Sequence, residues 1–176
     1  MEDTNTVIKP TAPTSEDANL RFKKIDHIAI AVSNLDQAIT FYSSQLGFTL
    51  QRRLNVAGKK TGMISAEMER DGLKFVLCQG TEPESQVSRL VAEFGPGVAH
   101  IALEVDEVEV AAKALAQRGL QFDTSVINGG SLKQIFSSRD PNSGMSFEFI
   151  ERHGEQGFLE ENVHELFAQL EKSGAY

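Results

Sequence analysis

From Ile25 the chain alternates apolar with small or polar positions: Ile28, Ile30 and Val32 fall on one side, His27, Ala29 and Ala31 on the other. This is the period-two pattern of a strand with one packed face. Leu35, Ala38, Ile39, Tyr42 and Leu46 then recur at three- and four-residue spacing, which predicts a helix begun at Ser33 and ended at Gly47. The combination returns 73 positions later, where His100-Ile-Ala-Leu-Glu-Val105 repeats His27-Ile-Ala-Ile-Ala-Val32. Asp106 stands as the second helix N-cap, Val108, Ala111, Ala112 and Leu115 form its apolar face, and Gly119 its stop. The far ends repeat as well, Gly72-Leu-Lys-Phe75-Val76-Leu77 matching Gly144-Met-Ser-Phe147-Glu148-Phe149. Between helix and end strand each copy has room for two more strands, Thr49–Leu54 and Gly62–Glu69 in the first, Gln121–Val126 and Leu132–Ser137 in the second.

Each copy therefore reads βαβββ, and the expected fold class is α+β: two modules, 20–80 and 98–152, facing each other around a cup. The connection, 81–97, carries an apolar stripe of Val87, Leu90, Val91 and Phe94 that predicts a helix, closed by Gly95-Pro96-Gly97. Val163, Leu166, Phe167 and Leu170 predict a last helix within 153–176. Residues 1–19 are polar, include Pro10 and Pro13, and are expected to be a disordered tail without the apolar core of a signal peptide.

Composition narrows the function little. The 176 residues are 40% hydrophobic and 24% charged, with a net charge of -8, which argues against nucleic acid or an anionic membrane as the main partner. Cys78 is the only cysteine, so no intrachain disulfide can form, and a reducing compartment, the cytoplasm, is the expectation. No apolar run reaches the roughly 18 residues of a membrane span.

The candidate chemistry lies on the strand faces turned away from the helices. His27 and His100 occupy equivalent repeat positions there, each with an alanine two residues on. Phe147 and Phe149 take the packing face of the last strand, which turns Ser146, Glu148 and Ile150 to the other. A carboxylate in a central strand is costly unless paired or metal-bound. Two imidazoles and a carboxylate with open positions form the facial set that suits non-haem Fe(II). His153 and His164 lie outside the repeat and read as structural; Lys23, Lys24, Arg52 and Arg53 read as solvated charge.

Over about Lys23 to Arg152 these residues resemble the vicinal-oxygen-chelate superfamily, whose members pair βαβββ modules and place metal ligands on the first and last strand of each. The equivalent positions here are His27, Val76, His100 and Glu148. Valine cannot ligate, where glyoxalases and methylmalonyl-CoA epimerases usually carry Glu or Gln, so the chain looks more like the iron dioxygenases. Four segments in order are similar to the iron-bearing half of the 4-hydroxyphenylpyruvate dioxygenase family: Gly95 to Leu103, Leu132 to Phe136, Phe147 to Arg152, and Gly157 to Phe167.

That resemblance implies Fe(II) as cofactor, a 2-oxo acid and dioxygen as small-molecule partners, and oxidative decarboxylation with hydroxylation. It implies substrate positions at Gln134, Phe136, Asn162 and Phe167, more loosely at Ser65 and Gln79, and a last helix lying over the iron as a lid. A homodimer is one way the cup would close. The chain departs from the family at Ser88 and Ala99, where glutamines are expected, and at Ser146 and Val163, which stand for two ring-sandwiching phenylalanines. Rival readings on the same fold are an extradiol dioxygenase, for which no tyrosine is suitably placed, an epimerase or lyase, and a non-catalytic ligand-binding protein.

Overall fold

Alternating strand patterns become one eight-stranded sheet in this computed structural model, which describes residues 20–58, 60–129 and 132–154 together with His164, Ala168 and Gln169. The first module contributes β1 (Phe22–Ala31), α1 (Leu35–Thr40), β2 (Thr49–Ala57), β3 (Gly62–Arg70) and β4 (Leu73–Gly80). After α2 (Gln86–Phe94), the second contributes β5 (Gly97–Val105), α3 (Val108–Gln117), β6 (Ile127–Asn128), β7 (Leu132–Phe136) and β8 (Phe147–Arg152).

The strand order is β2-β3-β4-β1-β5-β8-β7-β6. Each module's first strand runs parallel to its last, β1 with β4 and β5 with β8, and the modules join through the antiparallel pair β1–β5. Ile28 opposes Ile101 on the local twofold axis, so His27 opposes Ala102 and His100 opposes Ala29. Each imidazole thus stands beside the other copy's alanine, where a larger side chain would crowd it.

The sheet curls, and its two faces bury different sets. The inner face holds Ala29, Ala31, Leu54, Val56, Met63, Val76 and Cys78, packed against Leu90 of α2. The outer face takes α1 through Leu35, Met68 and Leu77, and α3 through Val108, Ala111 and Phe149. Burying one such aliphatic side chain is worth about 1.5–3 kcal/mol, which fixes the register because a one-residue slip would invert both faces.

Several local expectations shift. Asn34, not Ser33, caps α1, its side chain accepting the Gln37 N–H at 2.9 Å. Glu107, not Asp106, holds the N-cap position of α3 and makes no side-chain cap. Residues Phe41–Gln45 form a π-helical turn, whose wider winding carries Leu46 off the apolar face and leaves it 44% exposed. Phe94 of α2 is exposed too, beneath the Arg139 guanidinium. The strand expected at Gln121–Val126 is reduced to a single bridge, Phe122 to Ser137, with β6 following at Ile127. There Thr124 Oγ1 accepts the Phe136 N–H and the Asp123 carboxylate accepts the Ser138 hydroxyl, beside two backbone bonds, Asp123 N–H to the Phe136 carbonyl and Ser138 N–H to the Gln121 carbonyl.

His164 Nδ1 lies 3.0 Å from the Ala57 carbonyl oxygen, and Gln169 Oε1 accepts both the Ser125 N–H and hydroxyl at 3.0 Å. Ala57 ends β2 and Ser125 precedes β6, so these helical residues touch both outer edges of the curled sheet at the same end. The rest of the expected lid helix, and the 1–19 tail, lie outside the described residues. Among the described residues no helix is long and apolar enough to cross a membrane.

Candidate metal centre

His27 and His100 reach the inner face from neighbouring strands, and β8, paired in parallel with β5, brings Glu148 opposite Ala102. Their three donor atoms lie within 4.8 Å of one another. His27 Nε2 and His100 Nε2 are 3.2 and 3.3 Å from the same oxygen, Glu148 Oε2. Glu148 is 1% exposed, yet neither of its oxygens accepts a hydrogen bond of acceptable geometry. Leaving a buried carboxylate so placed costs several kcal/mol. The two imidazole-to-carboxylate spacings, 3.2 and 3.3 Å, match the donor–donor edge around a divalent ion with bonds near 2.1 Å. The three residues fit a metal of the kind held by two imidazoles and a carboxylate.

Charge in the site is strongly coupled. Burial works against the charged form of His27, but Glu148 and Asp26 outweigh it and raise its pKa to about 9. Burial would push the Glu148 carboxyl up, but the two imidazoles bring it down to about 2. His100 is lowered, chiefly by burial, with Glu148 opposing. Without metal, the proton therefore sits on His27 and faces two carboxylates.

Two residues that the sequence reading passed over hold His27 in place. Asp26 Oδ1 lies 2.9 Å from His27 Nδ1, and Arg152 grips both Asp26 oxygens at 2.7 and 2.8 Å. Burial opposes ionisation of Asp26, but His27 and Arg152 hold its carboxyl well below the usual range. A carboxylate on Nδ1 fixes the tautomer that presents Nε2 to a metal. Strand alternation carried half of this signal, since Arg152 shares its face with Glu148 and Ile150; the pairing with Asp26 did not show.

The other expected residues divide. Ser65, Gln134 and Phe136 line the cavity beside the three ligands, with Phe136 edge-on to His100 at 5.3 Å between centroids. Val76 lines it too, at the position matching Glu148. Gln79 does not: its Oε1 accepts the Leu35 N–H at 2.6 Å on the outer face, at the start of α1. Alternation explains this, because Val76 and Cys78 point inward and leave Leu77 and Gln79 pointing out. Ser146 is buried, and its hydroxyl donates to the Ser137 carbonyl. Asn162 and Phe167 lie outside the described residues. Of the charges expected in solvent, Arg52 pairs with Glu67, Arg53 with Asp36, and Lys23 and Lys24 with Glu104. His153 sits on the Glu151 carboxylate, 2.5 Å away.

Known proteins resemble this chain in sequence and fold. The chain is 29% identical over 185 residues to 4-hydroxyphenylpyruvate dioxygenase of Legionella pneumophila, covering 84% of this chain and 53% of that one. It thus spans about half the length of that relative. A triple mutant of 4-hydroxymandelate synthase from Streptomyces coelicolor superposes with a TM-score of 0.75 at 22% identity, over 85% of this chain and 54% of the other. A methylmalonyl-CoA epimerase variant from the same organism superposes at 0.64 and 25% identity, over 75% of this chain and 99% of the other. The family profile described as Glyoxalase/Bleomycin resistance protein/Dioxygenase superfamily matches residues 24–149, most of the folded chain and all three candidate ligands, and the protein belongs to that superfamily.

Proposed function

We propose that this chain is an Fe(II)-dependent dioxygenase that converts a 2-oxo acid by oxidative decarboxylation coupled to hydroxylation. The observation that carries the reading is the trio of buried His27 and Glu148 with half-buried His100, and Val76 in the fourth repeat-equivalent position. Three protein donors on one side leave neighbouring coordination positions for a chelating substrate and dioxygen. The likeness to a 4-hydroxyphenylpyruvate dioxygenase supports the same chemistry. Iron held there supplies chelation of a keto-carboxylate and activation of dioxygen.

The side chains do the rest. Glu148 offsets part of the ion's charge, and Asp26 with Arg152 orients His27. Phe136 and the apolar wall exclude water around the reacting atoms. Ser65 and Gln134 offer hydrogen bonds to a bound acid, and the family resemblance adds Asn162 and Phe167. An epimerase or lyase on this frame would need an acid–base group in the cavity. Among the described residues that line it, Cys78 is the one titratable side chain besides the ligands, and burial pushes its thiol up to about 12. That favours the oxygenase.

The test is anaerobic loading with Fe(II), followed by oxygen uptake and carbon dioxide release across a panel of 2-oxo acids. One acid should drive both in equal amounts. Fully iron-loaded protein that consumes no oxygen above the substrate-free control with any member of the panel would sink the proposal.

A further inference from the structure

We infer that Arg139 is the positioning residue of His100, acting through the main chain that carries it; this rests on the metal centre of the reading above and not on its oxygen chemistry. The two candidate histidines are held unlike each other. His27 has Asp26 on Nδ1, whereas among the described residues no hydrogen bond reaches Nδ1 of His100. The His100 ring meets Glu148 through Nε2 and Phe136 edge-on. Metal-ligating imidazoles are usually fixed by a partner on the second nitrogen. His100 has none, so its place depends on its backbone.

That backbone is irregular at the ligand. The pairing of β1 with β5 steps from Ala29 opposite His100 to Ile30 opposite Val98, so Ala99 has no opposite residue. Ala99 is 8% exposed and lies in the inner-face cluster with Ala29, Val76 and Leu90, on the face that His100 also takes. Asp26, 73 positions earlier, is skipped in the same way between Ile25 and His27. Each histidine thus follows a bulged residue at the equivalent position of the repeat. A bulge leaves backbone groups out of the ladder, and a buried carbonyl then needs a donor from elsewhere. Beside His27 the bulged residue brings its own carboxylate, held by Arg152. Ala99 has no such side chain, and its carbonyl is taken by Arg139.

Arg139 Nη2 donates to the Ala99 carbonyl at 3.0 Å, and Nη1 donates to the carbonyl of Gly144, in the turn that leads into β8. The guanidinium carbon lies 5.7 Å from the centre of the ring of Phe94, the last residue of α2. One planar fork therefore fixes the residue before His100 and the turn before Glu148, with a flat ring beneath it. A lysine has neither the two fixed donors nor the plane. Arg139 does not line the cavity, so its effect on the metal runs through the segments it holds.

The test combines competition for zinc against a coloured chelator with proton NMR of the cobalt(II) form, in which the ring protons of each ligating histidine are read separately. Arg139→Met and Arg139→Lys should each weaken zinc binding about tenfold, the low end for a residue standing behind a ligand, and should move the His100 ring signals while leaving those of His27. Gln79→Ala, a destabilising change on the outer face, serves as the control and should alter neither reading. Arg139→Lys with the parent affinity and spectrum would make Arg139 a nearby charge only. Equal movement of the His27 and His100 signals would make it a general structural tie. Either result overturns the inference. Should both Arg139 variants fail to fold, Phe94→Ala decides, because it loosens the guanidinium from an exposed position: unchanged affinity and spectrum overturn the inference, and weaker zinc with His100 signals moved supports it. A parent protein that binds neither zinc nor cobalt would remove the metal centre itself, whereas one that binds metal but consumes no oxygen leaves this inference standing.

Discussion

Gln79 and Glu151, 72 positions apart in the repeat, perform one task on the two modules. Gln79 Oε1 accepts the N–H of Leu35, the first residue of α1, at 2.6 Å; Glu151 Oε2 accepts that of Val108, the first residue of α3, at 2.8 Å. Each last strand thus reaches over to satisfy an orphan donor of its own module's helix, from the face opposite the metal site.

Gln79→Ala should therefore lower stability by about 1 kcal/mol, the usual cost of losing a helix cap, seen as a shift in the urea midpoint. Metal affinity should stay within about twofold, because the residue is on the outer face. A variant that kept its midpoint but lost metal or substrate binding would put Gln79 back at the site.

Asp26→Asn should weaken metal binding about 10–100-fold, the usual range when the carboxylate behind a ligating histidine is altered. Competition between the protein and a coloured chelator for zinc measures it. The visible spectrum of the cobalt(II) form should change as well, which a purely structural defect would not produce in protein that remains folded. Unchanged affinity and spectrum would reduce the Asp26–Arg152 pair to a structural tie.

Val76→Glu places a carboxylate where the repeat puts Glu148 in the other module. It should hold or tighten metal binding while abolishing oxygen uptake, because a fourth protein ligand fills a position that substrate or dioxygen needs. Oxygen uptake at the parent rate would show that Val76 does not face that position.

Metal uptake should release protons. His27 is raised to about 9 in the metal-free protein, above its unfolded value near 6.5. Its charged form thus stabilises the metal-free fold fully below pH 6.5, and this contribution is lost as pH rises through 9. A metal requires the neutral imidazole, so zinc binding at pH 7 should release about one proton, and apparent affinity should climb with pH until about 9. Calorimetry in two buffers of different ionisation enthalpy reads the number directly; zero protons would contradict the charge state drawn for His27.

What the sequence determined was whatever depends on local periodicity. Alternation sorted His27, His100 and Glu148 onto one set of faces, and the repeat aligned Val76 with Glu148, because side-chain direction along a strand is a property of neighbouring residues alone. Applied to Gln79, the same alternation sets it on the outer face, against the looser family match. Tertiary structure decided the rest. Only the pairing of β1 with β5 turns two half-sites into one, and an irregularity between Ile25 and His27 lets consecutive residues, Asp26 and His27, border one cavity. The Asp26–Arg152 ion pair spans 126 positions. An expected strand shrank to one bridge flanked by side-chain bonds from Thr124 and Asp123, and a π-turn moved Leu46 outward. Each of these outcomes balances side-chain bonds and burial against partners distant in the chain, and no window of the sequence contains both sides of that balance.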